Sequence, residues 1–103
     1  MSEKYICIAM STAHMTLDDK NKLDATGYIE RAKIGRVGKN SGMIMARDTG
    51  YFVKLYDELD YNFRPVLSPA FNEAIKFVHR QGARLVEFDS DAPIEPSLET
   101  FDW

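Results

Sequence analysis

The stretch from Leu67 to Asp91, LSPAFNEAIKFVHRQGARLVEFDSD, narrows the possible folds most, because a start signal, a period, a stop and a following element all agree within it. Ser68 is an N-cap residue, Pro69 stands where a missing N–H does no harm, and Gly82 supplies the left-handed residue that ends a helix. The spacing predicts a helix of about thirteen residues over 69–81, about 20 Å long at 1.5 Å per residue. Phe71, Ala74, Ile75 and Val78 recur at i, i+3, i+4 and i+7 and form one apolar face, with Asn72, Glu73, Lys76 and Arg80 on the other. That face must cover something. After Gly82 the chain turns to LVEFD, whose apolar content and valine suit a strand on which the helix can lie.

The rest of the chain supplies the other layer. Residues 4–10, KYICIAM, form an apolar run of strand length with few polar interruptions, which predicts a central strand covered on both faces. Thr16 then caps a short helix in TLDDKNKLDATG: Asp19 completes a capping box, Asp18 and Asp19 suit the positive end, and Gly27 suits the stop. Only Leu17 and Leu23 are large and apolar there, so the helix is expected to be peripheral. Residues 28–40 are interrupted by Gly35 and Gly38 and read as an irregular loop with room for one strand. GMIMA and GYFVKLY make a hairpin around Arg47-Asp48-Thr49, with Gly50 able to adopt positive φ. YNFRPV is an extended linker, because Pro65 biases Arg64 away from helix. Pro93 and Pro96 make the tail irregular, while Leu98, Phe101 and Trp103 are apolar enough to bring it back onto the body.

This order predicts an α+β fold, a single-domain two-layer sandwich over residues 1–103 with two helices on one face of a mostly antiparallel sheet. The leading topology is the split β-α-β, ferredoxin-like one. In it the first and last strands are neighbours but antiparallel, so Ser11–His14 and Asp89/Asp91 leave the sheet at opposite ends. A parallel pair would bring them together.

With 45% apolar residues, the 103-residue chain can bury a core without disulfide or metal staples. Its one cysteine, Cys7, lies inside an apolar run, where a small buried hydrophobe in a reducing compartment is expected. Residues 1–15 carry no basic-then-apolar leader and no run approaches the ~18 apolar residues of a membrane span, so a soluble cytoplasmic protein is expected. Charge is unevenly placed. Arg31, Lys33, Arg36 and Lys39 fall in a stretch without acids, whereas Glu87, Asp89, Asp91, Glu95, Glu99 and Asp102 fall in an 85–103 segment without Lys or Arg.

Candidate chemistry is sparse. His14 follows a strand, precedes a helix and neighbours Ser11, Thr12 and Thr16, the setting of an acid–base residue in a hydrolase or transferase; it equally suits a side chain that ties down a turn. His79, near a helix C-terminus, reads as structural. Asp89 and Asp91 offer carboxylates after a strand, but their spacing is that of a solvated turn, no zinc-type spacing exists, and no metal or other cofactor is expected. Ile34-Gly-Arg-Val-Gly-Lys-Asn resembles the GXXG loop of KH domains, in which glycines bring backbone to nucleic-acid phosphates and basic residues neutralise them. That loop joins two helices, and here a hairpin follows. The glycine spacing matches neither a Walker loop nor a dinucleotide fingerprint.

One resemblance spans the chain. Ser11-Thr-Ala-His14, Gly50-Tyr-Phe-Val53, Phe88-Asp-Ser-Asp-Ala-Pro93 and the final Leu98-x-x-Phe101-x-Trp103 are similar to a family of small uncharacterised proteins of bacterial plasmids and prophages. The resemblance implies a mobile-element setting and no catalytic residue. Together with the charge it leads to a non-enzymatic protein that binds a macromolecule, a protein before nucleic acid, through Asp89, Asp91, Phe101 and Trp103; a basic host-defence protein is one such partner. The two aromatics serve either that contact or the protein's own core. The rivals are a His14-dependent enzyme and a nucleic-acid binder using Arg31, Lys33, Arg36 and Lys39.

Overall fold

A computed structural model of the chain describes residues 4–24, 44–47 and 50–103. Within them lie strands β1 (Ile6–Ser11), β2 (Ile44–Arg47), β3 (Gly50–Lys54) and β4 (Ala83–Asp89), helix α1 over residues 17–24, and helix α2 (Pro69–Arg80). Ser68 caps α2 as its sequence predicts, its Oγ accepting the Phe71 N–H at 3.1 Å, and Gly82 follows the last turn with φ +90°. Thr16 and Asp19 form the predicted capping box on α1: the Asp19 N–H donates to Thr16 Oγ1 at 3.0 Å and the Thr16 N–H to Asp19 Oδ2 at 2.9 Å.

The sheet order is β1-β4-β3-β2, with β1 parallel to β4 and the other two pairings antiparallel. Alternation along each strand sorts the side chains into two faces. Met10, Phe88 and Tyr51 lie side by side in register on the covered face, as do Ile8, Val86, Val53 and Ile44. α2 lays its apolar stripe there: Phe71, Ala74, Ile75 and Val78 are at most 2% exposed, and the Phe71 ring stacks on Phe88 with centroids 5.3 Å apart. Leu23 of α1 joins the same core, so both helices sit on one face. Phe71, Ile75, Val78 and Leu23 each contribute about 1.5–3 kcal/mol of apolar burial.

Polar contacts lock the helices together. Asp19, wholly buried, also accepts the Ser68 N–H at 2.7 Å and the Ser68 hydroxyl, so the caps of α1 and α2 share one carboxylate. At the last described turn of α1, Asp24 accepts the Tyr51 hydroxyl and pairs with Lys20, which together hold its carboxyl below the usual carboxylate range. Asn72, expected on the wet side of α2, is instead buried: its Oδ1 accepts the Arg64 N–H at 2.9 Å and its Nδ2 donates to the Arg64 and Ser68 carbonyls. The supposed linker is therefore structured. A 3₁₀ turn, Leu59–Asn62, opens it, Asn62 closes it on the Tyr56 backbone, and Arg64 is buried.

The α+β class, the hairpin and the helical layer agree with the sequence; the strand arrangement does not. β4 occupies the middle and β1 an edge, whereas the ferredoxin-like order would put the first strand inside and antiparallel to the last. A run such as YICIAM reads as buried on both faces, yet Tyr5, Cys7 and Ala9 are exposed, because no helix among the described residues covers their side, and Ile6, at the start of the edge strand, is exposed as well. Cys7 is accordingly no core residue. Gly50 also has a different reason from a left-handed turn: an added Cβ would lie 1.7 Å from the Phe88 carbonyl oxygen, so β3 reaches β4 only where a side chain is missing.

Candidate functional site

Parallel pairing of β1 and β4 sends both strands out at the same end, with Ser11 opposite Asp89. The segments Ser11–Met15 and 89–103 therefore meet, and the second wraps the first as a strap. Asp89 begins it by accepting the Asp91 N–H on Oδ1 at 2.8 Å, an Asx turn that the residue type favours. The Pro93 carbonyl then accepts the Ser11 N–H at 3.0 Å, and Phe101 donates its N–H to the Ala13 carbonyl at 2.8 Å. Trp103 closes the strap by donating its indole N–H to the Met15 carbonyl at 2.9 Å.

His14 sits inside this loop at 1% exposure. Its Nε2 accepts the Glu95 N–H at 2.9 Å, which makes Nδ1 the protonated nitrogen, and Nδ1 donates to the Glu99 carbonyl at 2.9 Å. Both nitrogens are engaged by backbone, and among the described residues no hydroxyl or carboxylate bonds to the ring, so the imidazole ties the strap to the exit of β1. His79 is engaged in the same manner, its Nε2 donating to the Tyr56 and Asp57 carbonyls.

The four residues expected to meet a partner are brought together on the strap, in different environments. Asp91 is exposed and Asp89 half-buried. Phe101 is half-buried against the body, whereas Trp103 is 44% exposed although its indole N–H is fixed. Glu99 and Asp102 are exposed beside them, and residues 85–103 hold no counter-charge of their own. Arg31, Lys33, Arg36 and Lys39 lie outside the described residues, as do the 28–40 loop and the Gly27 helix stop. Among the described residues no group of three His, Cys, Asp or Glu is gathered to hold a metal, and no helix is long and apolar enough to cross a membrane.

Among the described residues, two openings escaped the sequence. One, of about 240 Å³, lies between the 3₁₀ turn at Leu59–Asn62 and α2, where Asn62 and Asn72 are already bonded to backbone. The other, of about 100 Å³, follows β1 at Ile8–Met10 between Phe77 of α2 and Pro93–Glu95 of the strap. It is assembled from three distant segments, which no local pattern announces. Cys7, on the opposite sheet face, is not an activated thiol: partial burial and the Glu87 carboxylate push it above its ordinary value.

Among known proteins, residues 7–103 match one family model, described as a family of unknown function (DUF5983) C-terminal domain. No curated protein and no solved structure matches the chain.

Proposed function

As the chain belongs to the DUF5983 C-terminal-domain family, whose function is unknown, we propose from its surface that it is a non-enzymatic binding protein whose partner is a protein with a basic face. The carrying observation is Trp103, held by its indole N–H to Met15 yet 44% exposed, in a strap whose charges at Asp91, Glu99 and Asp102 are all negative and turned to solvent. An aromatic fixed before binding loses little side-chain entropy on contact, and the acidic surround steers a basic partner to it. His14, Ser11 and the strap backbone are the support of this surface. Residence in the bacterial cytosol on a plasmid or prophage, with a basic host-defence protein as partner and the acidic strap imitating nucleic-acid charge, belongs to the same proposal. It rests on the resemblance of Ser11–His14 and Leu98–Trp103 together with the charge.

Trp103 is the sole tryptophan, so its emission reports on the strap directly. Oligo-lysine and oligo-arginine peptides are expected to change that emission, with an affinity that falls as the Debye length shrinks from ~10 Å at 0.1 M salt to ~3 Å at 1 M. An affinity indifferent to ionic strength contradicts a charge-led contact. Retention on a DNA or heparin column at low salt would instead favour the rival use of Arg31, Lys33, Arg36 and Lys39.

A further inference from the structure

We propose that the partner presents an extended segment that adds to the outer edge of β1 beside Cys7–Ala9, placing one aliphatic side chain in the cleft between Phe77 and Ile94 and a Lys or Arg beside Glu95. This rests on the binding function proposed above and gives the partner its shape. Backbone direction comes first. The Ser11 N–H leaves β1 on the side away from β4, since it donates to the Pro93 carbonyl at 3.0 Å. In a parallel ladder alternate residues turn both backbone groups the same way, and the register from Cys7 to Ser11 is unbroken, so Ala9 and Cys7 also point outward. No strand among the described residues pairs there.

Edges left to solvent are ordinarily guarded by lysine, proline or a covering segment. Ile6 to Met10 contain neither residue, and Ile6, Cys7 and Ala9 are exposed. The strap has begun the pairing itself: the Pro93 carbonyl occupies the slot that the next strand's carbonyl would take, and thereby sets where an added segment must end. The cleft beyond is lined by Ile8, Met10, Phe77 and Ile94 together with the polar Gln81 and Glu95. An apolar cavity of roughly 150 Å³ accepts benzene, so about 100 Å³ suits one side chain of valine or leucine size. Glu95 Oε1 is oriented by the Ser97 N–H and hydroxyl, and among the described residues no Lys or Arg pairs with it, so a basic residue of the partner is the complementary group.

The probe is a capped peptide alternating Val and Lys, its comparison the same peptide N-methylated at every second amide, and a third alternates Val and Ser. On the intact ¹⁵N-labelled protein the first peptide is expected to shift Cys7, Ala9 and Ile94 and to slow exchange of the Cys7 and Ala9 amides, with N-methylation weakening it at least about tenfold. Ala9→Pro removes an outward donor without touching the β4 ladder and should lose a similar factor. Ile94→Ser, which leaves the backbone alone, should also weaken binding and stands in if the proline variant fails to fold. Binding that still perturbs Trp103 but ignores N-methylation and both variants overturns the edge proposal and leaves the acidic-strap reading intact. Protection of Ala9 by the Val-Ser peptide, with no Trp103 response to any basic peptide, supports the edge and refutes the acidic strap. Silence at both places refutes both. A free-protein dimer with Ala9 already protected overturns the proposal by assigning the edge to a second copy.

Discussion

Replacing Asp19 with asparagine is the sharpest test of how the two helices are joined. Its two carboxylate oxygens accept different backbone donors, Oδ2 the Thr16 N–H at 2.9 Å and Oδ1 the Ser68 N–H at 2.7 Å, and the residue has no exposed surface. An asparagine amide, whichever way it is flipped, therefore sets an NH₂ against a backbone N–H. The Ser68 hydroxyl can rotate to accept, but the opposed main-chain donor is left buried without a partner, which costs about 1–3 kcal/mol. Asp19→Ala strands both donors, the Thr16 N–H of the capping box among them, for a total of about 2–6 kcal/mol. Set against the 5–15 kcal/mol typical of a domain, the alanine variant is expected to lie near the edge of folding and the asparagine variant well inside it. Urea unfolding followed by both far-UV circular dichroism and Trp103 emission gives the two values. An Asp19→Asn midpoint within ~0.5 kcal/mol of the parent, the range of an ordinary surface change, would refute the shared-cap reasoning. A double-mutant cycle with Ser68→Ala should return a coupling between the two positions, because they meet directly.

Three further outcomes follow from the same contacts. Phe71→Ala removes a wholly buried ring stacked on Phe88 and should cost about 3–5 kcal/mol in denaturant unfolding, whereas Lys76→Ala, which loses only an exposed pair with Glu73, should cost under ~0.5. His14→Ala leaves the Glu95 N–H and the Glu99 carbonyl unmatched, so the strap should loosen and Trp103 emission shift to the red while α2 keeps its dichroism; an unchanged spectrum and melting point would show that the histidine does not hold the strap. Burial, the hydrogen bond to Asp24 and that carboxylate's charge raise Tyr51 above the ordinary 10.0, so its phenol stabilises the fold fully below that pH and the contribution is lost only as pH rises through the raised value. An absorbance titration should show a tyrosine that ionises late, and Tyr51→Phe should remove that late step.

The capped, amphipathic α2 was legible because everything that specifies it is local: Ser68, Pro69, the Phe71–Val78 stripe and Gly82 lie within one short stretch. The α1 capping box was legible for the same reason. Of the candidate site, the composition of the strap could be read, an acidic tail carrying Phe101 and Trp103, but not its geometry. Met15 accepts from Trp103 eighty-eight residues on, and His14 clasps Glu95 and Glu99 across similar distances, and no periodicity encodes such pairs. Asn72 was misjudged because a polar residue is read as wet unless a buried partner is known, and its partner is the backbone of Arg64, eight residues earlier and outside the helix.

By itself the sequence determined which of the described segments would be α-helix or strand and which face of α2 would be apolar, since those follow from residue spacing and capping chemistry within a few residues. Tertiary structure alone decided that β4 rather than β1 takes the centre, that the two strands run parallel, and hence that Ser11–Met15 and the acidic tail share one end. Strand order is a choice among nearly equivalent apolar runs. It is settled by contacts distant along the chain, the Pro93 carbonyl on Ser11 and the shared Asp19 cap among them, whose energies no single stretch contains.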